Sequence, residues 1–247
     1  MQLISGVEDL PRTSNVRTQL MALWITAISM VIMLVAYAVY PGFWPPLSPE
    51  LSAAEVADFY RDNAGWIRFS MVTFNLCGIM LVPLFCVVAV QIKRMAAQSQ
   101  AFAYCYLFAT VSGATVFALS AIFFAAAAFR PSRDDDLILV LNDVGWIVFV
   151  APVGMALIQN LMLAMAIYFD DKARPVYPRW VAHLAIAVAV AMAPAAFSVT
   201  VTSGPFAWDG AVSFWLRNIV FGVFIVVLLA VTRRAVHQQA SDEGLTQ

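Results

Sequence analysis

The sequence predicts an all-α, polytopic membrane protein: a bundle of six transmembrane helices, readable as three helical hairpins, with short amphipathic helices on the external side. Three observations predict it. The 247 residues are 62% hydrophobic and 12% charged, where ordinary soluble domains hold about 45–50% and about 25%. The chain contains six apolar runs of the roughly 20 residues that a helix needs to cross a bilayer. Those runs are too long, and too little alternating, for barrel strands of about 9–11 residues. A disordered chain, a basic nucleic-acid binder and an ordinary soluble enzyme are thereby excluded. The net charge of −1 sets up no field toward a charged partner.

The elements follow in chain order. Span one covers 21–40. Arg12, Arg17 and the small-x-small site Ala36-Tyr37-Ala38 would also fit a signal peptide, but such peptides carry a shorter apolar core of about 7–15 residues, which favours an uncleaved span. Pro41-Gly42-Phe43-Trp44-Pro45-Pro46 cannot be helical throughout and reads as a rigid extended turn. Ser52 followed by Glu55 is a capping-box pattern, and Val56, Phe59 and Tyr60 form the apolar face of a short surface helix behind it. Span two covers 66–90 and span three 101–129. In span three Ala109, Gly113 and Phe117, then Ala114 and Ala118, then Ala121 and Ala125 recur at steps of four, a pattern that lets helices approach closely. Ser132 is positioned to cap a second external helix whose first turn holds Asp134, Asp135 and Asp136. Span four covers 144–169. Span five, alanine-rich from 182 to 196, covers 180–201. Spans three and five are expected in crowded central positions. The stretch 203–210 is a tight turn with aromatic anchors, and span six covers 211–231. Segments 1–20 and 232–247 remain as tails. Pro83, Pro152 and Pro194 lie inside spans two, four and five and should kink them.

Lys and Arg set the orientation. With the N-terminus cytoplasmic, nine of the 14 basic residues, including both lysines, fall inside, and both termini are cytoplasmic. The loops 91–100 and 170–179 are then cytoplasmic. Nine of the 15 carboxylates and five of the seven tryptophans fall outside, where an aromatic belt belongs at headgroup level. A short repeat marks that side. Asp62-Asn63-Ala64-Gly65-Trp66-Ile67-Arg68-Phe69 opens span two, Asn142-Asp143-Val144-Gly145-Trp146-Ile147-Val148-Phe149 opens span four, and Phe214-Trp215-Leu216-Arg217 opens span six.

Most membrane chemistries lack their residues. Two histidines, His183 and His237, cannot furnish a di-iron site or a pair of haem ligands within the spans. Neither lysine lies in a span to form a retinal Schiff base, and no glycine-rich phosphate loop is present. Cys77, Cys86 and Cys105 sit in apolar runs and make a poor disulfide framework. No carboxylate sits at mid-membrane for a proton relay. No catalytic set, metal site or cofactor is expected.

What remains is amide polarity and two arginines. Asn75 lies near the middle of span two, Gln159-Asn160 in the inner half of span four, and Asn218 beside Arg217. Such amides either bond between helices or wall a polar pocket. Arg68 and Arg217 each stand two residues past a tryptophan. They either snorkel to the interface or pair with Asp62, Asp143 or Asp209 in an external polar mouth that attracts a carboxylate or phosphate. Trp66, Trp146 and Trp215 would line it.

Pro175-Val176-Tyr177-Pro178-Arg179-Trp180, the stretch Gly204-Pro205-Phe206-Ala207-Trp208-Asp209-Gly210 with Phe214-Trp215, and the segment 51–60 resemble uncharacterised bacterial multi-pass inner-membrane proteins. The resemblance implies a bacterial inner-membrane location and brings no activity. The expected function is binding or transport of a small hydrophobic or amphipathic molecule, anionic if the arginines hold it, at a site under the external loops. The expected partners are the lipid bilayer, that ligand, and a membrane-protein partner or second copy, with no nucleic acid. The alternative is an accessory or structural subunit packed through the small-residue faces.

Overall fold

A computed structural model describes residues 12–95 and 100–244, with side chains from Asn15 onward in the first helix. Arg12's side chain, most of the first tail, the middle of the 91–100 loop and the last three residues lie outside the described part. The described helices are α1 (Arg12–Val39), α2 (Ala53–Asp62), α3 (Ala64–Gly78), α4 (Val82–Lys93), α5 (Ala101–Phe129), α6 (Asp135–Val150), α7 (Gly154–Tyr168), α8 (Arg179–Met192) and α9 (Arg217–Asp242). With short 3-10 and π segments they merge into six units long and apolar enough to cross a membrane: Asn15–Val39, Ala64–Lys93, Ala101–Phe129, Asp135–Tyr168, Arg179–Val199 and Ala211–Asp242. Each unit packs against the one before and the one after it, and the sixth returns to the first. The result is a ring of helices. One end carries α2 and the connections 130–134 and 200–210, and is the loop end. The other, with Arg94 and Asp242, is the terminal end.

The three interior prolines break their spans. Pro83 sits in the first turn of α4, after a 3-10 segment at Ile79–Leu81. Pro152 separates α6 from α7, and Pro194 opens a 3-10 stretch, Ala193–Val199. The first break is bridged from span one. The Leu84 N–H donates to Thr26 Oγ1 at 3.2 Å, and that hydroxyl lies 3.2 Å from Met80 O and 3.1 Å from Ala22 O, either of which it can donate to. A backbone opened in hydrocarbon must find such a partner.

Five sequence expectations change. Asp134, not Ser132, caps α6, its carboxylate accepting from Asp136 N–H at 3.1 Å. No breaker lies between 135 and 150, so the expected short helix and the start of span four are one continuous helix. Span six does not stop at 231. It runs to Asp242, because Thr232, Ala235, Val236, Gln239 and Ala240 remain buried on the bundle. Likewise α1 already begins at Arg12, inside the segment read as a tail. Span five is the most embedded, with 44% of its apolar stretch buried, but span three is not central, with 28%. The capping box of α2 forms as expected: Ser52 N–H donates to Glu55 Oε2 at 2.8 Å and Glu55 N–H to Ser52 Oγ at 3.4 Å.

The interior has two layers. Toward the terminal end lie Leu84, Val88, Leu163, Val181 and Leu228, all fully buried. Three buried glutamines tie three spans together there. Gln91 Nε2 donates to Gln19 Oε1 at 2.6 Å and lies 3.1 Å from Gln239 Oε1, and Gln19 Nε2 donates to Gln239 Oε1 at 3.2 Å. At the loop end the core is aromatic. The turn at Gly42, held at φ 76°, drives Phe43 down between the helices. Its ring lies 4.5 Å from Tyr37, 5.2 Å from Trp146, 5.3 Å from Phe149 and 5.6 Å from Phe214. Trp208 Nε1 donates to Leu47 O at 2.9 Å and joins the two long loops above it.

Candidate functional site

Between the two layers the ring encloses a cavity of about 230 Å³. The proline breaks shape it: Leu81 and Val82 at the break in span two and Pro152 and Val153 at that in span four all line it. Met33, Phe117, Met155 and Phe221 complete a mostly apolar wall. The polar groups sit at its two ends. Toward the terminal end, Gln159 Nε2 donates to Thr110 Oγ1 at 2.8 Å, and Thr110 in turn donates to Tyr106 O at 2.9 Å. Toward the loop end stand Arg217 and Asn218.

A π-helical turn, Ala211–Leu216, delivers Arg217 to this position. Wide turns of this kind change which face of a helix meets the interior. Here Phe214 is buried, Leu216 is exposed, and Arg217 turns inward. Its Nη2 donates to Phe149 O at 2.7 Å and its Nη1 to Asn218 Oδ1 at 3.3 Å, while the guanidinium carbon lies 4.9 Å from the centre of the Phe149 ring. Nε has no partner. Among the described residues the ion pairs are Arg61 with Asp58 at 3.1 Å, Arg61 with Asp135 at 2.5 Å, and Arg94 with Asp242 at 3.8 Å. Arg217 therefore stands over an apolar cavity with no carboxylate partner among the described residues.

The sequence candidates separate. Arg217 lines the cavity, with Trp215 half-buried beside it, its ring 6.1 Å from that of Trp44. Trp146 is fully buried in the aromatic layer, its indole N–H unpartnered. Asp143 is half-buried on α6 and accepts from Asn142 Nδ2 at 3.2 Å. Asn142 accepts in turn from Tyr60 OH at 3.1 Å. Arg68 lies on the exposed face of α3, where its Nε donates to Ala64 O at 3.1 Å. Trp66 (60% exposed) and Asn75 share the outward side of that helix, whose inward stripe is Ile67, Ser70, Met71, Phe74 and Gly78. The expected pairing of Arg68 or Arg217 with Asp62, Asp143 or Asp209 does not occur. Asp209 sits partly buried in the loop, and burial raises its carboxyl above the usual range. The repeat also dissolves in its surroundings, since Trp66 is exposed, Trp146 buried and Trp215 between them.

Thr110, Phe43 and Met33 carried no sequence signal. Thr110 is one hydroxyl among several in span three, and the apolar pair is indistinguishable from lipid-facing neighbours. Among the described residues no group of histidine, cysteine and carboxylate side chains is arranged to hold a metal. No protein-family model, curated protein or solved structure matches the chain.

Proposed function

We propose that the protein binds a small amphipathic molecule with an anionic head in the cavity between its helices, as a carrier or transport step across or within the bacterial inner membrane. One observation carries the reading: the Arg217 guanidinium, paired with no carboxylate among the described residues, stands at the loop end of an apolar cavity. Arginine offers a carboxylate or phosphate two parallel hydrogen bonds, and low surrounding polarity strengthens them. The apolar wall takes the tail. In the orientation set by the basic residues, the head lies toward the external side and both termini are cytoplasmic.

The test is binding of dodecanoate and of its neutral counterpart dodecanol to purified protein. Hydrogen bonds to a charged group contribute about 1.5–3 kcal/mol, so R217Q should weaken dodecanoate binding about 10- to 100-fold and leave dodecanol nearly unchanged. R68Q, outside the cavity, should change neither. Equal dodecanoate affinity in wild type and R217Q refutes the reading.

A second reading, a subunit of a larger membrane complex or a homo-oligomer, has its own support. Asn75 is exposed near the end of α3, toward the middle of the second span, and makes no hydrogen bond among the described residues. An amide facing lipid is costly, and a partner helix relieves that cost. The small-residue faces support this reading less, since Ala121, Ala185 and Ala189 are buried within the bundle and Gly113 faces Met155. An oligomer in gentle detergent that N75L converts to monomer would favour it.

A further inference from the structure

The cavity is closed at both ends of the bundle. At the loop end Phe43, Trp146 and Phe214 are fully buried above it. Toward the terminal end, one turn beyond Thr110 and Gln159, Tyr106 and Leu163 are fully buried, with the Phe85 and Tyr106 rings 6.1 Å apart. A molecule therefore has no straight path from either aqueous side. Along its flank the cavity is different. Four lining residues are exposed: Leu34 on α1 (56%), Trp44 in the loop that follows it (59%), Gly222 on α9, and Pro152 at the break in span four. The first three belong to one seam, between the first and last spans.

That seam is fastened above and below the opening. The Gln19–Gln239 hydrogen bond closes it at the terminal end, and the Trp44 and Trp215 rings, 6.1 Å apart, meet at the loop end. Between these points α1 is the least embedded of the six, with 17% of its apolar stretch buried against 28–44% for the rest. At Gly222 a Cβ would meet no atom within 4 Å, so the α9 side of the seam is bare.

We infer that the α1–α9 seam, bounded by Leu34, Trp44 and Gly222, is a lateral window through which a single-chain amphiphile with an anionic head passes from the membrane leaflet at the loop end to Arg217. The inference rests on the binding reading above and names the ligand's class and source. The window faces hydrocarbon, so an occupant must already be dissolved in the leaflet, as a long-chain carboxylate is. Trp44 marks the height of the headgroups, and Arg217, at the start of α9, is the charge inside that an anionic head at this height would reach. A chain then lies inward along Met33 and Phe221. A water-soluble anion has no such route.

The experiment uses the full chain in lipid vesicles with hexadecanoate as probe, measuring the rate of loading and the amount bound. G222W fills the bare side of the seam and should slow loading at least tenfold. V223W places the same ring about a quarter-turn around α9 on its lipid-exposed face, where Val223 is 55% exposed, and should load like wild type, which shows that bulk on this helix does not unfold the bundle. Loading should follow the mole fraction of hexadecanoate in the bilayer. Wild-type loading by G222W overturns the window, as does a rate that follows aqueous monomer at fixed bilayer content. In either case R217Q still decides the binding reading separately: weak binding by R217Q keeps the site while the route falls. No hexadecanoate bound by wild type removes both.

Discussion

The hydroxyl of Thr26 holds open the break on which the cavity depends, and its removal is a stringent test of how the bundle is assembled. In T26V the shape of the side chain is kept and the oxygen lost. The Leu84 N–H then loses its acceptor at 3.2 Å and Met80 O its contact at 3.2 Å. Removing a partner from a buried backbone group costs about 1–3 kcal/mol, yet hydrogen bonds between membrane helices average about 0.6 and reach about 1.7 kcal/mol. Both distances are at the long end for a hydroxyl, which argues for the membrane scale. Two groups, each between that average and that upper limit, give a loss of about 1–3 kcal/mol. T26S keeps the oxygen and loses one methyl, about 0.8 kcal/mol at most. The assay is reversible unfolding in mixed micelles, followed by helical circular dichroism, for wild type, T26V and T26S. The expected order is wild type, T26S, then T26V. If T26S falls as far as T26V, the methyl and not the hydroxyl is what span two needs, and the account of the break is wrong. Because Leu81, Val82 and Phe85 line the cavity from this break, T26V should also weaken dodecanoate binding.

Three further outcomes follow from the same structure. F43A empties the centre of the aromatic layer and should cost about 3–5 kcal/mol in the same unfolding assay; a loss under about 1 kcal/mol would show that Phe43 does not close the loop end. Q91L leaves Gln19 Oε1 without its donor and Arg94 Nη1 without its side-chain acceptor and should cost about 1–3 kcal/mol, whereas Q91E, which keeps an acceptor for Arg94, should cost less; a Q91E variant less stable than Q91L contradicts this. Glu55 is held below the usual carboxylate range by the Ser52 hydroxyl and then by the Ser52 backbone N–H. Its folded state binds fewer protons than the unfolded one between the two pKa values, so its contribution is present at neutral pH and is lost as pH falls through the folded value. Amide exchange in α2 should therefore quicken in acid, and S52A, which keeps only the backbone N–H bond to Glu55, should weaken that pH dependence.

Hydropathy alone located all six membrane-length helices, because hydrocarbon demands long apolar stretches with their backbone bonds satisfied internally. The capping box at Ser52 and the breaks at Pro83, Pro152 and Pro194 were equally legible, since each depends on residues close in the chain. The helix ends were less so: the continuation of α9 to Asp242 depends on burial of Val236 and Gln239 against distant segments. Of the cavity's polar lining, Arg217, Asn218 and Gln159 were among the polar residues that the sequence singled out. Arg68 carries the same local signature as Arg217, a tryptophan two residues before it, and yet faces outward. In water an amphipathic pattern would have told the two apart. In a bilayer the outward surface is as apolar as the core, so composition is silent about which side of a helix is buried. Phe43 shows the same limit, because nothing local distinguishes a ring that plugs the bundle from one that rests in lipid. Thus the residues along the chain determined how often it crosses the membrane and where its helices bend. The order of the helices in the ring, the inward turn of Arg217 after the π-helical segment and the cavity beneath Phe43 were decided by tertiary packing, since they arise only where spans distant in sequence meet.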